Sequence, residues 1–370
     1  MLKLKVIGTI FGQTGYDSHT RQLINELDKI DGIEISLECN KPYDWVRRVS
    51  DRELSMIKRN DNNDYDAILI ISLPTTTQLY LCENVPIIQF CVWEGSHIPK
   101  GWLHILNDER VRQIWTPSTH VLNAIKNTTN DKDILDKVRI VPHGVDSKLF
   151  YPIIKDKKNK PFSFFVNKGW RNNEDRGGTQ YAVKAFLEEF NEGEDVQLLI
   201  KINPSYGIPN VNKLIDELKP KNKTNFAKIN VNADNLNYKD MNLLYNEGDV
   251  FLAPTRCEGF HLGCIEAMSC GLSVITTIFG GQTDFCNGKN GWIIDGKLTE
   301  IDFDTQYEGI FWLTPKLDEL KLAMREAYND WKYNNSSTLA IKSRESLDTA
   351  IKYSWKNSAK IAYNSLKEII

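Results

Sequence analysis

The sequence predicts an α/β protein built on parallel sheets, and three observations carry that prediction. Residues 249–295 read as strand, loop, helix, strand, loop, the unit from which parallel sheets are assembled. The two strands of that unit, Val250–Ala253 and Ser273–Ile278, are short apolar runs, as expected of strands covered on both faces. Similar strand and helix patterns recur along the chain, whose 370 residues fill two domains at roughly 150 residues each.

The first strand is Lys3–Ile7. It runs into Gly8-Thr-Ile-Phe-Gly12-Gln-Thr-Gly15, followed by a helix from about Ser18 to Leu27. Glycines at this place invite a dinucleotide reading. The spacing, G-x-x-x-G-x-x-G, is wrong for one, and no acid clearly ends the second strand, Ile33–Leu37, unless Glu38 serves. Residues 40–64, with Trp45, Arg47 and Arg48, are polar and read as loop and helix, either a solvated face or an acceptor-side surface. Strands follow at Ala67–Ser72, Val85–Val92 and Gln113–Thr116.

Val92-Trp93-Glu94-Gly95-Ser96-His97 ends one of these strands, where a ligand crevice opens in such sheets. Glu94, Trp93 and His97 are candidate ligand contacts there, and His97 reads equally as a loop residue. Lys155–Lys160 is charged and lies between Pro152 and Pro161, the composition of a linker. The expected division is therefore 1–158, 159–345 and a C-terminal helical segment, 346–370.

The second domain opens with a strand, Phe162–Val166, a loop containing Arg171 and Arg176, and a helix from Thr179 to Phe190. A strand through Leu199 ends at Lys201, and Ala227–Val231 is another. Leu317, Leu320, Leu322, Ala323 and Ala327 mark the apolar side of a helix over 316–333. Trp355–Ile369 is the terminal helix.

The turn Glu258–Gly263 carries the chemistry. Gly259 and Gly263 let backbone N–H groups approach a ligand, and the following helix adds the positive end of its dipole. That suits a diphosphate. Carboxylates repel phosphate, so Glu258 and Glu266 are assigned to hydroxyls. Glu266 suits a ribose. Glu258 suits a hexose hydroxyl or the positive charge that develops at an anomeric carbon. Alone, two glutamates at this separation read first as solvated acids, one before a turn and one on a helix surface.

The surrounding residues decide between these readings. Glu258–Ile275, E-G-F-H-L-G-C-I-E-A-M-S-C-G-L-S-V-I, resembles the donor-site signature of the retaining glycosyltransferases of family 4. Those proteins usually carry E-G-F-G-L-x-x-x-E-A-M-A-x-G-x-P-V-I. His261 stands where glycine is usual and Ser273 where proline is. Gly280-Gly281, Val141-Pro-His-Gly-Val-Asp146 and Tyr353-Ser-Trp355 resemble further motifs of the family. Asn167–Gly178 resembles its G-R-x-x-x-x-K-G, with Arg176 for lysine.

The resemblance implies the GT-B fold, two Rossmann-like domains facing a central cleft, with the last helix crossing back to the first domain. It implies that Gly259, Phe260, His261, Leu262, Gly263, Glu266, Gly280 and Gly281 bind the donor, with Gly12 and Gly15 facing it. Glu258, Arg171, Arg176 and Glu94 would be the catalytic group. Lys201 stands where the family has glycines and is a candidate added phosphate ligand. The implied reaction moves a hexose from a nucleoside-diphosphate sugar, UDP favoured, to an acceptor hydroxyl with retention. Two rivals stay open: a nucleotide-sugar 2-epimerase of the same fold and a non-catalytic binding homologue.

The remaining features narrow the classes. A net charge of −3 argues against stable binding to nucleic acid. Seven scattered cysteines without C-x-x-C read as reduced, buried thiols rather than a zinc site. Asp64-Tyr-Asp66, Asp131-Lys-Asp133 and Asp302-Phe-Asp304 have the D-x-D form of metal-dependent sugar transferases but read as surface acids. No cofactor or metal is expected, the nucleotide sugar being a co-substrate. The N-terminus lacks a signal-peptide pattern and no run approaches the roughly 20 apolar residues of a membrane span. A cytoplasmic protein follows, with peripheral membrane contact open.

Overall fold

The structure, a computed structural model, describes residues 1–39, 48–60, 64–154, 160–172, 174–204, 210–301 and 309–370. Trp45, Arg47, nearly all of the charged 155–160 stretch and the Asp302–Asp304 pair lie outside the described residues. The chain divides into two compact units. The division falls between Gly144 and Val145 rather than at 158, and Glu300–Phe311 belongs to the first unit.

Unit 1 comprises Met1–Gly144, Glu300–Phe311 and Tyr353–Ile370. Its elements are β1 (Leu2–Ile7), α1 (Gly15–Leu27), β2 (Ile33–Glu38), α2 (Asp51–Arg59), β3 (Ala67–Ile71), α3 (Pro74–Thr77), β4 (Ile87–Phe90), α4 (Leu103–Leu106), β5 (Val111–Thr116), α5 (Thr119–Thr128), α6 (Lys132–Leu135) and β6 (Val138–Ile140). The strands are parallel, in the order β2-β1-β3-β4-β5-β6. β3, in the interior of the sheet, is buried along its whole length, whereas edge strand β2 alternates between buried and half-buried. That is why β3 reads as a continuous apolar run. α1 starts at Gly15, earlier than the expected Ser18, because Thr14 and Asp17 form a reciprocal capping box.

The C-terminal helix, here the thirteenth (α13, Trp355–Leu366), belongs to unit 1. Gln113 of β5 donates to Ser365 O at 2.9 Å and accepts from Ser365 Oγ at 2.9 Å. A Cβ on Gly144 would stand 2.3 Å from the Trp355 amide nitrogen. His143 packs beside the Trp355 ring, centroids 5.6 Å apart. The two motifs around residues 143 and 354 thus form one packing joint.

Unit 2 comprises Val145–Thr299 and Trp312–Lys352. In chain order its elements are β7 (Phe162–Asn167), α7 (Thr179–Glu189), β8 (Val196–Lys201), α8 (Val211–Leu218), β9 (Lys228–Asn232), α9 (Tyr238–Tyr245), β10 (Val250–Ala253), α10 (Leu262–Ser269), β11 (Ser273–Thr277) and β12 (Gly291–Ile294). β13 (Gly296–Glu300) and β14 (Phe311–Pro315) pair separately, and α11 (Leu317–Tyr333) and α12 (Ser337–Lys352) follow. The main sheet is parallel, in the order β12-β11-β10-β7-β8-β9. Phe162, Phe164, Phe186, Phe190 and Tyr328 fill the core on one face, with edge-on contacts such as Phe162 to Phe164 at 5.1 Å.

Candidate active site

Strand order in unit 2 reverses between β7 and β10. Loops leaving the C-terminal ends of those strands diverge and leave a crevice, the usual ligand position in an open α/β sheet. Residues 168–178 follow β7 and residues 254–261 follow β10.

Glu258 is 7% exposed, and two cations meet its Oε1. Lys168 Nζ lies at 2.7 Å and Arg176 Nη1 at 2.6 Å. The same guanidinium nitrogen donates to Cys257 O at 2.8 Å. Burial pushes the Glu258 carboxyl upward, but Arg176 and then Lys168 outweigh it and bring the pKa down to about 2. Glu258 is therefore ionised and holds two positive side chains at the mouth of the crevice.

The backbone fixes this arrangement. Arg256 N donates to Arg176 O at 2.9 Å, and Gly281 N donates to Glu258 O at 2.7 Å. A Cβ on Gly281 would stand 2.1 Å from Gly259 O, so only glycine lets the loop after β11 lie against the Glu258 turn. Phe260 is buried against Phe285, centroids 5.0 Å apart. Glu266, in the second turn of α10, accepts from Tyr245 OH at 2.7 Å, and that hydroxyl accepts from Asn167 Nδ2 at 2.9 Å. Asn167 ends β7, so the Glu266 carboxylate is anchored to the same crevice.

Six buried side-chain polar atoms of unit 2 lack a hydrogen-bond partner among the described residues: Trp170 Nε1, Thr179 Oγ1, Gln180 Oε1, Arg256 Nε, His261 Nε2 and Gln282 Oε1. All six lie on the loops after β7, β10 and β11 or on the turn that follows. Such atoms each cost about 1–3 kcal/mol and are few in native proteins. A polar ligand on these loops would supply partners to them; eight further atoms of this kind lie in unit 1.

Other sequence-named residues are placed differently. Arg171 is exposed, and its amide donates to Asp175 Oδ2 at 3.0 Å. Lys168, not singled out from the sequence, pairs with Glu258 instead. Lys201 is buried at the end of β8, its ammonium donating to Ile202 O at 2.6 Å, and burial lowers its pKa. Leu262 and Gly263 open α10; a Cβ on Gly263 would meet only ordinary contacts at 3.5 Å. Gly280 precedes the close approach of Gly281.

Gly12, Gly15, Trp93, Glu94 and His97 belong to unit 1. The Gly12 amide donates to Asp17 Oδ1 at 2.9 Å and the Thr14 amide to Asp17 Oδ2 at 3.1 Å. These amides face a carboxylate, which would repel a phosphate, while the space beside Gly15 is open. Trp93 is buried edge-on to Trp102 and donates to His97 O at 2.5 Å, so it serves packing. His97 Nδ1 pairs with Ser96 Oγ at 2.9 Å, and Glu94 is half-buried. Two of the three D-x-D pairs do structural work. Asp66 accepts from the Lys3 amide and Asp64 pairs with the Lys3 ammonium, while Asp131 caps α6.

Comparison with known proteins fits this geometry. Residues 172–302 match the family model described as glycosyl transferases, group 1. A probable sucrose-phosphate synthase of Thermosipho melanesiensis is 27% identical over 44% of this chain and 37% of its own length. For a sucrose synthase of Melioribacter roseus, 28% identical, the match spans 43% of this chain and 19% of the relative. The chain thus matches well under half of either relative. A putative glycosyltransferase of a Sulfolobus islandicus filamentous virus is 23% identical over 74% of this chain and 72% of its own.

Among solved structures, the sucrose-phosphate synthase of Thermosynechococcus elongatus superposes with a TM-score of 0.71 at 14% identity, covering 100% of this chain and 99% of that one. Anabaena HepE in complex with UDP gives 0.63 at 14%, covering 100% of both. The fold is GT-B, that of these solved structures.

Proposed function

We propose that the chain is a retaining hexosyltransferase that takes its sugar from a nucleoside diphosphate, UDP first among them, and needs no metal ion. One observation carries the reading: a buried, ionised Glu258 clasped by Lys168 and Arg176 at the reversal point of the unit 2 sheet. In this reading the two cations grip the diphosphate and Glu266 accepts from the ribose hydroxyls.

The acceptor hydroxyl attacks the anomeric carbon from the face the leaving group departs. The bond from that carbon to the phosphate oxygen breaks with its electron pair, and the acceptor proton passes to the departing diphosphate. Lys168 and Arg176 stabilise the charge that collects there, a role for which one aimed donor supplies roughly 10²–10³ in rate. Glu258 faces the sugar and steadies positive charge at the anomeric carbon. UDP as nucleotide is supported by HepE, a fold neighbour seen with UDP and with UDP-glucose.

Among the described residues no helix is long and apolar enough to cross a membrane; we place the reaction in the cytoplasm. The test is thermal stability with UDP, GDP and ADP sugars. A ligand at about 100 times its Kd adds ~2.7 kcal/mol, so one nucleotide series should raise the Tm. No shift from any of them contradicts the reading. Product analysis with the stabilising donor then separates transfer from epimerisation, which would consume no acceptor.

A further inference from the structure

His261 stands where the family carries glycine, and its backbone adopts the left-handed conformation, φ +79°, that glycine takes without cost. The ring is 3% exposed. Its Nδ1 accepts from the Cys264 amide at 3.1 Å, capping α10. A neutral imidazole that accepts at Nδ1 carries its proton on Nε2. Nε2 is buried without a partner among the described residues. The ring edge lies over the first turn of α10, with Cε1 3.5 Å from where a Gly263 Cβ would stand. A strained residue holding an unused, buried donor is a feature with a cost, and such features gather at ligand sites.

We infer that His261 Nε2–H is a direct hydrogen-bond donor to the distal phosphate of the nucleoside diphosphate, a contact the family's glycine cannot make. The inference rests on the function proposed above. Along the turn His261 lies between Glu258, assigned to the sugar, and Glu266, assigned to the ribose, and the middle of such a donor is its diphosphate. The distal phosphate is the one next to the sugar, on the side where Glu258 gathers Lys168 and Arg176.

The experiment uses the full chain with His261→Gly and His261→Asn. Glycine suits the left-handed backbone and is a tolerated cap. Asparagine keeps a capping oxygen and tolerates the same backbone, but it is too short to replace Nε2. Both variants should melt at or above the wild-type temperature. By calorimetry, each should bind UDP about tenfold more weakly than wild type, about 1.4 kcal/mol, and bind UMP within twofold of it. UDP affinity within twofold of wild type in both variants, or equal losses for UDP and UMP, overturns the assignment to the distal phosphate. Should wild type bind none of UDP, GDP or ADP, the proposed function falls and this inference with it; a wild type that binds while the variants bind equally sinks the inference alone.

Discussion

Replacing Glu258 by glutamine removes the charge that Lys168 and Arg176 share and leaves the side chain's shape nearly unchanged. The size of the effect follows from the carboxyl's shift. Its pKa falls from 4.5 to about 2 in the folded protein. That is roughly 2.5 units at 1.36 kcal/mol each, or about 3 kcal/mol, after burial has already opposed the attraction. A lowered carboxyl pKa means that the unfolded chain binds the proton more readily. The contribution is therefore complete above pH ~5 and is lost as pH falls toward 2.

Glu258→Gln should thus be about 3 kcal/mol less stable than wild type at pH 7 by urea unfolding. The gap should begin to narrow below pH ~4.5. With UDP present the sign reverses for binding, because the freed cations no longer share themselves with a carboxylate: UDP should bind the variant more tightly while turnover is lost. Equal stability at pH 7, or a gap indifferent to pH, would refute the claim that these two cations hold a buried charge.

Other outcomes follow from the same geometry. Three imidazoles in unit 1, the buried His19 and His143 and the half-buried His120, stay neutral: burial, then the neighbouring His143, depress His19, and desolvation brings His143 to about 3 and His120 to about 4. The unfolded chain takes up protons first, so stability should fall as pH drops below ~6.5, by at most about 1.4 kcal/mol per pH unit for each ring. Urea midpoints at pH 7.5, 6 and 5 measure this, and His143→Phe should flatten the decline; a constant midpoint contradicts it. Gly281→Ala drives a methyl against Gly259 O and should cost about 1–3 kcal/mol as well as UDP affinity, read by melting and calorimetry. Tyr245→Phe removes the hydroxyl that anchors Glu266 and should weaken UDP binding about tenfold, one charge-assisted hydrogen bond, with the melting temperature lowered only slightly.

Much of unit 2 was legible in the sequence because its strands are buried on both faces and its turns carry glycine. The expected strands at Val250–Ala253 and Ser273–Ile278 match β10 and β11 to within a residue. The helix over 316–333 packs Leu320, Ala323 and Ala327 in the core, but Leu322, expected on the same side, is exposed. α12 escaped notice because few of its residues are buried, Leu339, Ser346 and Ala350 among them, which leaves little periodicity to read.

Lys168 was missed for another reason. Spacing pointed to Arg171, yet what matters is which side chain follows the last residue of β7, since that position opens onto the reversal point. Arg171, three residues beyond Lys168, is exposed instead, although Trp170 between them is buried. Asp17, one residue ahead of the expected helix start, drew no assignment from the sequence. That its carboxylate turns back onto the Gly12 and Thr14 amides is a property of the cap and not of the glycine spacing.

The central claim is that Lys168 and Arg176, gathered by Glu258, are the cations that receive a nucleoside diphosphate. Calorimetric titration of UDP into wild type, Lys168→Ala and Arg171→Ala tests it most directly. The account predicts a loss of about 10–100-fold for Lys168→Ala, one charge-assisted contact, and affinity within threefold of wild type for Arg171→Ala. The opposite ranking, or unchanged affinity in Lys168→Ala, would contradict it.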